Sequence, residues 1–363
     1  GGGGGGEGGI FALKSNYGDT SENKTSAASN DISTDMRTSP KHYDVSVRAL
    51  KGGRLYMEDE YFIARGGRFA AVFDGHGGAG VSGCLRERLY RALVRNLRKH
   101  IHGTRDSSNS DDYDIYGEDD DDDSSVAFPS IATRIAALRS AFEEVEAFVL
   151  GNDIFQYQGS TAVSVMLHED ESGGRTLVSA NIGDSRAILS RRGKAVDLTR
   201  DHKPNDEREK ARILAMGEHI EWDHYSKVHR VRNLSLSRAI GDRFAKPAVS
   251  GEAEIKCFPL FNDGDEFVLL ASDGLWDVMS SQDAVSFVHR RLNAEVIRRN
   301  TGPTGNTTQT PLRPQDLEKA KYLRRRNMAR FVANEALRRG SGDNVCVIII
   351  WLDDMDTISS TST

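Results

Sequence analysis

Cysteine is scarce in this 363-residue chain, and what there is lies scattered. Cys84, Cys257 and Cys346 form no C-x-x-C pair, which argues against a disulfide framework and for reduced thiols in an intracellular setting. No cluster of cysteine and histidine exists either, so zinc is disfavoured. No apolar run reaches the ~18 residues that a membrane helix needs. No internal repeat is visible. A decisive charge is missing too. The net charge is −6, but residues 106–123 hold ten acids and no Lys or Arg, and without them the remainder stands at +4. Neither figure suggests a nucleic-acid partner. The chain begins at Gly1 without an initiator methionine, so a targeting segment upstream would go unseen; the expected location is intracellular, cytoplasmic and/or nuclear.

What is there divides by composition. Residues 1–42 are rich in Gly, Ser, Thr and Asn and read as a disordered tail. Residues 43–353 carry the periodic apolar pattern of one large folded domain, and 354–363 read as a flexible tail. Within the domain, an acidic insertion at 103–126 reads as a solvated loop, and 300–315 as a Thr/Pro/Gly loop.

The stretch that organises the domain is Phe69-Ala70-Ala71-Val72-Phe73-Asp74-Gly75-His76-Gly77-Gly78. Five mostly apolar residues form a short buried strand, and a glycine-rich turn stops it beside an acid and an imidazole. Alone this is ordinary turn chemistry. The pattern recurs, however, at Ala180–Asp184 and Phe267–Gly274, and Asp343-Asn344 opens the apolar run Val345–Leu352. Ahead of it lie the alternating Tyr43–Val47 and then Arg54 to Glu60, so Arg54, Glu58 and Asp74 are expected on neighbouring strands of one sheet.

Leu85, Leu89, Leu93, Leu97 and Ile101 recur every fourth residue, and Ile131, Ile135, Leu138, Phe142, Val145 and Val149 alternate steps of four and three. Both read as amphipathic helices that pack together on a sheet. Strands are expected at 160–167, 176–182, 187–190, 228–237 and 265–272, with helices at 206–216, 282–298 and 316–338. Strands and helices come in separate runs, so the expected fold is α+β, two antiparallel sheets flanked by helices.

The acids at strand ends carry the chemistry: Glu58, Asp59, Asp74, Asp184, Asp273, Asp277 and Asp343. Clustered without cations they would repel, because like charges held close cannot all stay ionised. Oxygen-only donors suit hard ions, Mg²⁺ or Mn²⁺. Two such ions ~3.5–4 Å apart can clamp a phosphoryl group for in-line attack. Arg54 offers a bidentate fork for phosphate oxygens. His76 is placed to protonate a leaving alkoxide, with a structural hydrogen bond as its competing role.

At this point the chain resembles the metal-dependent serine/threonine protein phosphatases of type 2C. The resemblance covers residues 43–352 and rests on motifs in the family's order. They are Arg54–Asp59, Asp74–Gly78, Gly159–Ala162, Gly183–Arg186, Asp201–Pro204, Ser237–Asp242, Asp273–Asp277 and Asp343-Asn344. It implies a four-layer αββα sandwich, two stacked antiparallel sheets with helices on both outer faces. It implies a phosphatase acting on phosphoserine and phosphothreonine proteins through a hydroxide shared by two Mg²⁺ or Mn²⁺ ions. The partners expected are those phosphoproteins, with no nucleic acid and no membrane span, and the chain is expected to be a monomer. Asp74 with the Gly75 carbonyl resembles the bridging ligand, Asp273 and Asp343 ligands of one ion, and Glu58 of the other. Asp184, with Asp273 and Asp277, resembles a weaker third site. Arg54 matches the phosphate-binding arginine and His76 the general acid. Ser160, Thr161, Arg186, His202 and Arg238 read as structural. Arg232 departs from the pattern, standing where the family commonly has glycine.

A cysteine-dependent phosphatase would need Arg six positions after Cys, where this chain has Tyr90, Asp263 and Leu352. Histidine-rich metal motifs of other phosphoesterases are absent. A binding module that keeps the fold without turnover would normally betray itself by a replaced acid, and none is replaced.

Overall fold

Val345 to Leu352 is apolar at every position, and the computed structural model shows why: its strand, Val345–Trp351, is buried on both faces. Successive side chains of a strand point to opposite faces. Here Val345, Val347, Ile349 and Trp351 meet one hydrophobic cluster, and Cys346, Ile348, Ile350 and Leu352 meet another. One strand thus serves two cores. The structure describes residues 42–102, 129–170, 172–294, 297–301, 307–311 and 314–352, all within one compact unit of the chain.

The first sheet has five strands in the order Val45–Leu50, Val345–Trp351, Asp265–Ala271, Arg186–Arg191 and Lys194–Asp197, every pair antiparallel. The second, also antiparallel, runs Glu254–Leu260, Arg175–Ile182, Ala162–Glu169, Phe69–Phe73 and Glu60–Ile63. Val72, Val163, Val165 and Leu177 from the second sheet pack with Leu189, Val268, Leu270 and Ile348 from the first. The outer face of the second sheet, with Phe73, Met166 and Val178, is covered by the helices Gly80–His102 and Ile131–Leu150. The outer face of the first takes Val285 and Val288 from the helix Ser281–Leu292, and Val332 and Ala336 from Met328–Arg338. The layers are helix, sheet, sheet, helix, as expected. Removing one inter-sheet side chain, as in Ile348→Ala, would cost ~2–5 kcal/mol.

Several local expectations fail, each for a physical reason. Arg54 and Glu58 do not lie on strands of one sheet with Asp74. They occupy the connection that crosses from Val45–Leu50 in the first sheet to Glu60–Ile63 in the second. The strand expected at 228–237 ends at Arg230, because Arg232 and Asn233 both take positive φ (51° and 67°) and turn the chain back. That left-handed backbone is why glycine would suit position 232. Arg232 bears the strain with a two-pronged ion pair, Nη2 and Nε donating to Glu218 at 2.6 and 2.9 Å.

The helix expected at 282–298 ends at Leu292, and the region 300–315 includes parts of a paired hairpin, Ile297–Thr301 with Thr307–Pro311. Its threonines suit a strand as well as a loop. The helix expected at 316–338 is two, Pro314–Arg326 and Met328–Arg338, broken where the Asn327 amide side chain donates to the Leu323 carbonyl at 2.8 Å. Lys194–Asp197, short and half charged, and Glu254–Leu260, interrupted by Lys256 and Pro259, are strands that the apolar pattern misses. The tail before His42, the acidic insertion and the segment after Leu352 lie outside the described residues. Among the described residues no helix is long and apolar enough to cross a membrane.

Candidate active site

The strand Phe69–Phe73 is buried from end to end, so it delivers Asp74 to a fixed point. Thr161 clamps that point from both sides. Its amide donates to the Asp74 carbonyl at 2.9 Å, and its hydroxyl accepts from the Asp74 amide at 3.2 Å. Gly75 must be glycine because a Cβ there would stand 2.6 Å from the Glu58 carbonyl oxygen. That carbonyl in turn accepts from Ser82 Oγ at 2.6 Å, which fastens the Glu58 loop against the glycine turn.

Asn344 organises the same loop from the other side. Its Oδ1 accepts from the Glu58 amide at 2.7 Å, and its Nδ2 donates to the carbonyls of Lys51 and Tyr56 at 2.7 and 3.0 Å. Its neighbour Asp343 accepts from Arg54 Nη2 at 2.6 Å. Asp273 is separated from the strand Asp265–Ala271 by Ser272 alone and opens a short helix, and Gly274 lets the chain pass Asn344, whose carbonyl oxygen would lie 2.0 Å from a Cβ. Asp184 follows the strand Arg175–Ile182 across Gly183, a φ of +101°.

One cleft gathers Arg54, Glu58, Asp74, Gly75, His76, Asp184, Asp273 and Asp343. Asp277, exposed at one turn beyond Asp273, is not on its wall but shares its field. Loss of water is the leading cause that pushes the carboxyls of Asp74 and Asp273 well above the usual range, with their acidic neighbours adding to it. Both are half-buried and line the cleft. Asp59 is pushed up to about 7, again by burial first and then by Asp273 and Asp343, against a hydrogen bond from Ser272 Oγ at 2.7 Å. Burial, Asp184 and Asp343 raise Asp277 as well, although Lys203 pulls it down.

Among the described residues, no three acid, histidine or cysteine side chains already stand around a common point at ligand spacing. Two resident cations explain part of the opening: Arg54 draws Asp343, and Lys203 Nζ donates to Asp184 Oδ2. The donor set nonetheless fits Mg²⁺ or Mn²⁺. It is all oxygen, and its buried acids are held so far above their ordinary range that the cleft demands added positive charge, whether protons or metal ions.

His76 stands at the same mouth. Its Nε2 lies 2.8 Å from Oδ2 of Asp242, a carboxylate with no exposed surface. Gly159 makes room for that pair, since a Cβ there would come within 2.2 Å of Asp242 Oδ2 and 2.5 Å of His76 Nε2. Asp242 and Lys203 are the residues that the strand-end pattern passes over, and Asn344, quoted there beside Asp343, is given no role by it. Asp242 and Lys203 occur inside quoted motifs, but nothing in their spacing tells a buried partner from a surface charge.

The chain matches the protein phosphatase 2C family over residues 43–345. It is 35% identical over 291 residues to probable protein phosphatase 2C 6 of Oryza sativa subsp. japonica, covering 78% of this chain and 55% of that protein. Protein phosphatase 2C 50 from the same plant is 32% identical over 325 residues, covering 86% and 77%. A solved structure of a C. elegans sex-determining protein superposes with a TM-score of 0.65 at 26% identity, covering 88% of this chain and 67% of the other. This chain therefore spans little more than half the length of the first of these relatives. With the order of the motifs, the four-layer sandwich and the acid-lined cleft, these likenesses have one meaning: the chain belongs to the protein phosphatase 2C family.

Proposed function

We propose that the chain hydrolyses phosphoserine and phosphothreonine esters of proteins, using Mg²⁺ or Mn²⁺ held by Asp74, the Gly75 carbonyl, Glu58, Asp273 and Asp343. A weaker third ion is assigned to Asp184, Asp273 and Asp277. The observation that carries this reading is the crowding of buried acids, Asp74 and Asp273 foremost, onto one cleft that Arg54 overlooks. When bound, the ions supply an activated water as nucleophile at neutral pH and offset the charge of the phosphoryl group.

The protein's own residues do the rest. Arg54 is a planar two-pronged donor with a side chain 57% exposed, so it can leave Asp343 and close on two phosphate oxygens. Asp242 accepts at His76 Nε2, which fixes the ring and leaves Nδ1 as the atom that holds and gives up a proton to the leaving serine or threonine oxygen. Thr161 and Ser82 keep Asp74 and the Glu58 loop in register while this happens.

The test is turnover of a phosphothreonine peptide with Mn²⁺ and with excess EDTA. Metal-dependent release of phosphate supports the reading. Full activity in EDTA overturns the metal assignment, and no turnover under saturating Mn²⁺ leaves a binding module in its place.

A further inference from the structure

Lys203 enters the acid cluster by a rigid route. The His202 amide donates to the Gly183 carbonyl at 2.9 Å, and the Gly183 amide donates back to His202 Nδ1 at 3.1 Å. Because Nδ1 accepts, the ring proton sits on Nε2, which lies 3.1 Å from Glu254 Oε2. His202 has no exposed surface, and burial, the leading cause, lowers its pKa and favours the neutral ring. The pin is uncharged. What it positions is the next residue of each connecting segment, so Lys203 falls beside Asp184 and its Nζ donates to Asp184 Oδ2.

The pair is lopsided: the Asp184 side chain is 3% exposed and that of Lys203 is 35% exposed. Burial works against the ammonium, but Asp184, then Asp273 and Asp277, outweigh it and hold Lys203 above its ordinary value. A lysine ammonium in contact with a carboxylate is a cation at neutral pH in any case. Its long flexible stem and partial exposure also let it swing out to water. The three acids it faces are those assigned above to a third, weaker ion.

We propose that the Lys203 ammonium is the resident counter-ion of Asp184, and that a third divalent ion binds at Asp184, Asp273 and Asp277 only by displacing it. This rests on the metal reading of the cleft and adds a regulator to it: the weakness of the third site is set by a tethered competitor. An opposite charge in contact shifts a carboxylate's proton equilibrium by ~1–3 units, about 10- to 10³-fold. A competing ion meets a penalty on the same scale.

Equilibrium dialysis of Mn²⁺ against the full chain tests it. The wild type should show a tight class of sites and a weak one. Lys203→Gln should tighten the weak class by ~10-fold or more and leave the tight class where it was. Lys203→Arg, which keeps the charge, should retain the wild-type weak constant, and Asp184→Asn should remove the weak class in either background. A weak class unmoved or loosened by Lys203→Gln overturns the inference while leaving the metal reading intact. Loss of the tight class from the wild type overturns both.

A measurement on the unaltered chain covers the case in which the glutamine variant does not fold. The ¹⁵Nζ resonance of Lys203 should move at the Mg²⁺ concentrations that fill the weak class and not at those that fill the tight one. A resonance indifferent to the weak class rules displacement out.

Discussion

Two cations, Arg54 and Lys203, reach the same group of acids, and the protein treats them differently. Arg54 rides on the crossover between the sheets, 57% exposed, on an aspartate that is itself 30% exposed. Lys203 follows a buried histidine and rests on an aspartate that is 3% exposed. An exposed ion pair contributes ~0–1 kcal/mol, so Asp343 lets its arginine go at little cost. A buried carboxylate left without its partner loses much more. The difference separates two kinds of pair in one cleft: one that parts cheaply, as the proposed capture of a phosphate by Arg54 requires, and one that does not part without a replacement charge.

The way to break this comparison most completely is to remove what both cations serve. Asp273→Asn should abolish turnover, and because it deletes a desolvated charge, the melting temperature in EDTA should stay equal or rise. Phosphate release with saturating Mn²⁺ and a melting scan check it. Near wild-type turnover, or a variant that does not fold, contradicts the assignment.

Next in size is the histidine. General acid catalysis contributes ~10²–10⁴-fold. His76→Gln should lose most of that on a phosphoserine peptide, whose alkoxide must be protonated, and little on p-nitrophenyl phosphate, whose phenolate leaves unaided. Asp242→Asn should lean the same way by a smaller factor. Equal losses on both substrates would make His76 a structural residue.

Arg54→Ala should lower kcat/KM on the order of 10²-fold, the scale of one lost donor at a developing charge. Stability in EDTA should move by less than ~1 kcal/mol. A large drop in melting temperature would mean that the Arg54 pair, like that of Lys203, does not part cheaply.

A pH scan without metal sharpens the picture at lower amplitude. Asp59 at about 7, with Asp74 and Asp273 raised in the same sense, binds its proton more tightly in the folded chain than in the unfolded one, where 3.8 is ordinary. Over that window the folded state carries more protons, so stability falls as pH rises and is recovered on acidification from about 7 toward 4. Saturating Mg²⁺ should flatten the slope. The smallest effect belongs to position 232. Arg232→Gly relieves the left-handed backbone and loses an exposed pair, so it should stay within ~1 kcal/mol of wild type. Arg232→Ala keeps the strain without the pair and should be the less stable of the two in a denaturant melt.

The layers of the fold are legible in the sequence because burial writes itself as apolar runs. Phe69–Phe73 and Val345–Trp351 read as interior strands because they are short, apolar throughout and bounded by turn residues, and the leucine stripe from Leu85 to Leu97 reads as a helix with one covered face. The strand-end acids are legible for a related reason, since an acid that stops an interior strand has few places to be. What escapes is whatever depends on partners distant in sequence. Nothing near Asp242 announces that His76, 166 positions away, will sit against it. Lys203 looks like any lysine before a proline until Gly183 and His202 bond to each other. The hairpin that includes Ile297–Thr301 escapes because threonine fits a loop and a strand equally well, and the crossover of Arg54 and Glu58 because a short connection does not say which sheet comes next.

The strand Val345–Trp351 has a further consequence. It is the second of five in its sheet, between Val45–Leu50 and Asp265–Ala271, and its first neighbours upstream are Asn344 and Asp343. A slip of one residue against either partner would turn each of its side chains into the wrong core, and would also draw Asp343 out of the cleft and Asn344 off the loop that holds Glu58. Assembly errors in the interior and loss of the chemical centre are then the same event. A misthreaded copy of this protein would lose core and cleft together, so the turnover proposed above, measured in a preparation, would count only the correctly threaded molecules.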